Sequence, residues 1–209
     1  MRYPLVVFDF DGTLADSFAA SVALFERLAP GLGLRPVPDL EAARSLPTRQ
    51  LLRRMGVRFW QVPRFVRTFQ AGAAEYANRL KLHAGVPELL ATLQGRGHRL
   101  GVLSSNRADA IRACLAANGV EHRFAFVVGC PKLFGKAKAL RRIVRAERLT
   151  PGRAVYVGDE LRDLDAGRQA RVSTVAATWG FHTEALLRTA GPTWVARTPA
   201  DVVAALADG

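Results

Sequence analysis

Near its start the chain carries an apolar run, Val6-Val7-Phe8, that is cut by two carboxylates two residues apart, Asp9 and Asp11, and then by Gly12. An unbroken stretch of branched and aromatic side chains reads as a strand covered on both faces, the kind found in parallel sheets wrapped by helices. At the end of such a strand the backbone leaves the sheet and side chains can face a ligand. Asp9 still falls within the apolar run, where an idle charge would be costly, so Asp9 and Asp11 are expected to do chemistry. Two acids this close need a cation, a shared proton or strong hydrogen bonds to offset their repulsion.

After this strand the pattern changes. Phe18, Val22, Phe25 and Ala29 recur at helical spacing, as do Leu51, Leu52 and Met55, and then Val62, Phe65, Val66, Phe69, Ala73, Tyr76 and Leu80, with Pro63 where a first helical turn accepts it. Residues 15–83 therefore read as a small all-helical domain inserted after the first strand, and residues 1–14 with 84–209 as an α/β core domain. In the core, helices are predicted at Val86–Gln94, Asp109–Asn118, Gly135–Glu147 and near Asp163–Ala170. They alternate with strands at Arg99–Leu103, Phe124–Val128, Ala154–Val157 and Thr174–Ala177, and a last strand-helix pair lies near Trp194–Leu206. Alternation of this kind implies a Rossmann-like, mostly parallel sheet with helices on both faces, and such sheets bind ligands at the carboxyl ends of their strands.

The 209 residues suffice for one substantial domain and a smaller one. The apolar start is broken by Asp9 and Asp11, which suits neither a signal peptide nor a membrane span, so a cytoplasmic location without a membrane partner is expected. Cys114 and Cys130 are too few for a disulfide framework and are expected to stay reduced, with Cys114 in a helix core. His83, His98, His122 and His182 show no metal-binding spacing. Thirty Lys and Arg against 18 acids give a net charge of +12. The arginines are spread along the chain, which favours a solvated basic surface over a nucleic-acid groove, although an anionic substrate remains in keeping with them.

Three further strand ends carry polar groups. Leu100 to Leu103 runs into Ser104-Ser105-Asn106, where a hydroxyl and backbone N–H groups suit a phosphate oxygen or, more plainly, an N-cap. Lys136 begins a predicted helix, against the usual preference for acids there; its neighbours Lys132 and Lys138 read as solvent-facing. The segment from Gly129 to Lys136 has the wrong glycine spacing for a nucleotide P-loop, and Ala137 stands where that motif needs a hydroxyl. Ala154 to Val157 leads into Gly158-Asp159-Glu160-Leu161-Arg162-Asp163, with Asp159 at the tip and Asp163 one helical turn on. Hard carboxylate oxygens at a strand end suit magnesium. Asp165 reads as a partner of the helix dipole, and Glu160 fits either role.

Taken in order, Asp-x-Asp-Gly-Thr at Asp9 to Thr13, the strand ending in Ser104, Lys136, and Gly-Asp-Glu-x-x-Asp at Gly158 to Asp163 resemble the haloacid dehalogenase superfamily, in its phosphatase branch. The resemblance implies a magnesium (Mg2+) enzyme acting on a small phosphate ester. Asp9 would be the nucleophile and Asp11 the general acid and base. Asp9, the backbone carbonyl of Asp11, Asp159 and Asp163 would serve the metal, while Ser104 and Lys136 would bind the phosphoryl oxygens. Thr13, Ser105 and Asn106 would line the substrate side.

The helical insertion resembles the cap of the phosphoglycolate phosphatase and beta-phosphoglucomutase-like branch. Within it Ser45-Leu46-Pro47-Thr48-Arg49 is similar to the loop facing the substrate, with Arg49 the candidate for a distal anion. Two positions depart from the pattern: Ala84-Gly85 replaces a Pro-Gly pair at the cap's return, and Phe134-Gly135-Lys136 replaces the commoner Lys-Pro. The leading expectation is a phosphatase with phosphoglycolate as the first substrate to try. A phosphomutase is the rival within the family, and a non-catalytic polyanion-binding module is the rival outside it.

Overall fold

The computed structural model describes residues 1–36, 39–130 and 135–207; the expectations for Lys132 and Phe134 fall outside them. Six parallel strands form one sheet in the order β3-β2-β1-β4-β5-β6. They are β1 (Leu5–Phe8), β2 (Arg99–Ser104), β3 (Phe126–Gly129), β4 (Ala154–Gly158), β5 (Ser173–Ala177) and β6 (Trp194–Ala196). The α/β, Rossmann-like sheet wrapped by helices is therefore the observed architecture.

Strand β1 shows why its sequence is apolar throughout. Its side chains alternate between the two faces: Val6 and Phe8 enter one core with Leu90, Ile111 and Cys114, whereas Leu5 and Val7 enter another with Leu140, Val144 and Tyr156. Helices α5 (Val86–Gly95), α6 (Ala108–Ala117) and α10 (Pro199–Ala205) cover the first face, and α7 (Lys136–Ala146) packs on the second. Helix α8 (Leu161–Ala170) follows β4 and lies against α7. Strand order reverses on either side of β1, so the carboxyl ends of β1 and β4 border the crevice where ligands of such sheets bind. Val157 accepts a 2.8 Å bond from the Asp9 N–H, which brings Asp9 beside the end of β4.

Between β1 and α5 the chain forms α1 (Phe18–Leu32), α2 (Leu40–Arg44), α3 (Thr48–Arg54) and α4 (Val62–Ala74). Phe25, Ala29, Leu52 and Met55 make a cluster of their own, joined by Phe65 and Phe69. The helical pattern running on to Leu80 is corrected here: α4 ends at Ala74 and a 3-10 turn spans Ala77–Arg79. The Leu80 carbonyl accepts from Asn118 Nδ2 at the end of α6, which docks this stretch on the core. The strand expected from Phe124 begins two residues later, because Glu121–Arg123 forms a 3-10 turn closed by the Phe124 N–H. Helices α2 and α9 (Glu184–Arg188) were not foreseen, since five residues are too few to show a period. No helix among the described residues is long and apolar enough to cross a membrane.

Candidate active site

Asp9 follows β1 directly and is buried with its carboxylate fully engaged. Oδ1 accepts from the Phe10 N–H at 2.7 Å, and Oδ2 accepts from Lys136 Nζ at 2.6 Å. The same ammonium donates to Asp163 Oδ1, also at 2.6 Å, so Lys136 bridges a residue at the tip of β1 and one in the first turn of α8. Lys136 opens α7, and these two carboxylates offset the cost of a cation at a helix N-terminus. Asp163 reaches back from α8 to accept from the Glu160 N–H at 3.1 Å, the return half of a capping box. The Tyr156 hydroxyl lies 3.2 Å from the same residue.

Asp159, at the tip of β4, is held on both oxygens. Oδ1 accepts from Thr13 Oγ1 at 2.6 Å and Oδ2 from the Phe181 N–H at 2.7 Å. Two glycines leave room for it. A Cβ on Gly12, whose φ is +74°, would lie 2.2 Å from Asp159 Oδ2, and one on Gly180 would lie 2.3 Å from it. Only glycine accepts this combination of left-handed backbone and close approach at position 12.

Oxygens of Asp9, Asp159 and Asp163 all lie within 4.8 Å of one another. Burial first, and then the charge of Asp163, push the Asp9 carboxyl up to about 7 against the pull of Lys136. Burial and the charges of Asp9 and Asp163 hold Asp159 well above the ordinary carboxylate range. Lys136 answers two of these acids, Asp9 and Asp163, while Asp159 has no cation partner among the described residues, and such a set of hard oxygens is what a divalent cation such as magnesium would neutralise. The Asp11 carboxylate lies outside this set. Burial raises its pKa, and it accepts from Asn106 Nδ2 at 3.4 Å.

Two cavities border the site, one at Lys136 and one at Asp11. A groove of about 420 Å³ is lined by Lys136, Thr48, Arg49, Arg162 and Asp165. A chamber of about 180 Å³ has Asp11, Ser105 and Asn106 on the core side and Leu52, Phe65 and Phe69 on the helical side. Ser104 is buried, and its Oγ accepts from the Asn106 N–H at 3.1 Å. The N-cap reading of this segment is overturned, because Arg107 caps α6 and no side chain bonds there. Thr13 is given to Asp159 and does not line the chamber, and Arg49 is exposed on the groove side, away from Asp11.

Several residues take partners that the sequence did not assign. Arg162 lines both cavities and pairs with Glu160, which also accepts from Thr48 Oγ1 at 2.8 Å. Burial pushes Glu160 up, yet the charge of Arg162 prevails and its pKa comes down to about 2. Arg44 donates to the carbonyls of Gly180 and Phe181. His182 accepts from the Leu161 N–H at 3.0 Å. Asp165 pairs with Arg168 one turn on.

A family model described as haloacid dehalogenase-like hydrolase matches residues 6–177. A phosphoglycolate phosphatase from Synechococcus elongatus is 37% identical over 203 residues, covering 96% of each chain. A tyrosine-protein kinase from Mycobacterium tuberculosis is 32% identical over 85% of this chain and 62% of its own length. The solved structure of a haloacid dehalogenase-like hydrolase from Streptococcus pneumoniae superposes with a TM-score of 0.82, covering 98% of this chain and 99% of that one at 23% identity, a likeness of fold.

Proposed function

The chain belongs to the haloacid dehalogenase-like hydrolase family, and within it we propose a magnesium-dependent phosphatase that hydrolyses a small phosphate monoester through an aspartyl phosphate on Asp9. One observation carries this reading: Asp9 is fixed between Lys136 and the Phe10 N–H, with Asp159 and Asp163 close enough to share a cation with it. The likeness to a phosphoglycolate phosphatase over nearly the whole chain makes phosphoglycolate the first substrate to test.

In this mechanism the Asp9 carboxylate attacks phosphorus and the bond from phosphorus to the ester oxygen breaks. The Asp11 carboxyl, its pKa raised by burial, gives its proton to that oxygen. The resulting Asp11 carboxylate then takes a proton from water, whose oxygen attacks the phosphorus of the aspartyl phosphate, releasing inorganic phosphate and restoring Asp9. Lys136 and Ser104 bind the non-bridging oxygens, Asp163 aims Lys136, and Thr13 orients Asp159. Asp9, Asp159, Asp163 and the backbone carbonyl of Asp11 would hold magnesium, which would supply charge neutralisation for the transferring phosphoryl group. Residues 15–83 serve as a cap that limits water and reads the leaving group. A cytoplasmic setting and a small-molecule partner belong to the same reading.

Inorganic phosphate release from a panel of monoesters, with and without magnesium, tests this. Release that needs the metal and disappears in Asp9→Asn is the expected result. Isomerisation of a sugar phosphate without release would favour a mutase, and activity surviving Asp9→Asn in pure enzyme would remove Asp9 as nucleophile.

A further inference from the structure

Resting on the phosphatase reading above, the chamber beside Asp11 is where the leaving group of the ester must lie, and its walls are largely apolar, with Leu52, Phe65 and Phe69 facing it. One cation among the described residues lines it, Arg162. The nearby basic side chains are otherwise committed: Lys136 to Asp9 and Asp163, and Arg44 to the carbonyls of Gly180 and Phe181.

Arg162 is fixed at one end only. Its Nη2 donates to Glu160, and Glu160 is itself held by the Thr48 hydroxyl from the helical segment. The arginine side chain is 19% exposed, and its Nε–H is buried with no acceptor among the protein's own atoms. Leaving a buried donor unpaired costs the whole desolvation of that group, so such an N–H is a standing demand for an oxygen. A guanidinium gripped through one terminal nitrogen keeps its remaining N–H groups in a fixed plane, which suits recognition of an oxygen delivered by a ligand.

We infer that Arg162 is a specificity-determining residue: a guanidinium N–H that Glu160 does not hold is donated to an oxygen of the leaving group, so the preferred monoesters carry a carboxylate or hydroxyl oxygen close to the ester carbon. Glu160 and Thr48 then act as positioning residues. Because Thr48 comes from the cap segment, the arginine is aimed only when that loop sits against the core.

The test compares kcat/KM for phosphoglycolate, 2-hydroxyethyl phosphate and ethyl phosphate, the last having no second oxygen function. Wild type is expected to favour the two oxygenated esters by about ten- to hundredfold, the range for one hydrogen bond from a charged donor. Arg162→Met should lower kcat/KM for the two oxygenated esters by about ten- to hundredfold more than for ethyl phosphate, with circular dichroism on the same sample showing that the variant is folded. Arg162→Lys keeps the charge but loses the planar guanidinium, and should lie close to Arg162→Met. Equal rates on all three esters in wild type, or an equal fall on all three in both variants, would overturn the inference and leave the phosphatase reading standing. Absence of phosphate release from every monoester would sink both.

Discussion

Thr13 and Asp159, 146 residues apart in sequence, meet in a 2.6 Å hydrogen bond that joins the turn after β1 to the tip of β4. The hydroxyl fixes one oxygen of a carboxylate whose other oxygen is held by the Phe181 N–H. Outer partners of a metal-binding carboxylate commonly govern affinity by about 10–100-fold. Thr13→Val should therefore raise the magnesium concentration for half-maximal phosphate release by about that factor, and Thr13→Ser should restore it. An unchanged magnesium dependence in Thr13→Val would remove this role.

Among the described residues Lys136 is the one cation in direct contact with Asp9 and Asp163, and all three are buried. Lys136→Met leaves two carboxylates without their partner, and breaking a buried pair in this way costs about 3–5 kcal/mol. Chemical denaturation should show that loss together with loss of turnover. Added magnesium should return part of the stability, because it meets the same negative charge. A variant as stable as wild type without metal would contradict this account.

Gly12 admits no side chain without displacing Asp159. The alanine Cβ would stand 2.2 Å from Asp159 Oδ2 and 2.4 Å from the Phe181 ring, at a φ of +74°. Gly12→Ala should cost about 1–3 kcal/mol from overpacking and about 1–2 kcal/mol from the left-handed backbone. Thermal unfolding and phosphate release measured on the same sample provide the check. Retention of both would mean that the turn relaxes freely.

Cys114, buried in the core, offers a pH test. Burial pushes its thiol up to about 11 from an ordinary value of 9.0. The folded chain thus keeps a proton that the unfolded chain releases, so this contribution is complete below about pH 9 and is lost as pH rises from about 9 to about 11. The stability advantage of wild type over Cys114→Ala, measured by urea unfolding, should shrink between pH 8 and pH 10.5. A difference that stays constant across that interval would count against the buried-thiol account.

Much of the fold was legible because its signals are local. The run before Asp9 declared a doubly covered strand, and the spacing of Val62, Phe65, Phe69 and Ala73 declared the inward face of α4. Element ends were less legible. Helix α4 stops at Ala74, and the Leu80 carbonyl beyond it is taken by Asn118, a contact with no trace in the periodicity. Thr48 lay inside a loop whose basic neighbour Arg49 drew attention by charge, yet it is the Thr48 hydroxyl that reaches Glu160.

By itself the sequence determined the layered α/β architecture, the insertion of helices after the first strand, and which acids stand at strand tips. Those properties follow from periodicity and from the cost of burying an unneeded charge, both of which act within a few residues. Tertiary structure alone decided which oxygen faces which donor: Thr13 on Asp159, Lys136 between Asp9 and Asp163, Glu160 between Thr48 and Arg162. These pairings depend on how the strand ends meet at a reversal of sheet order, and a hydrogen bond is made or lost over a few tenths of an ångström that residue spacing does not encode.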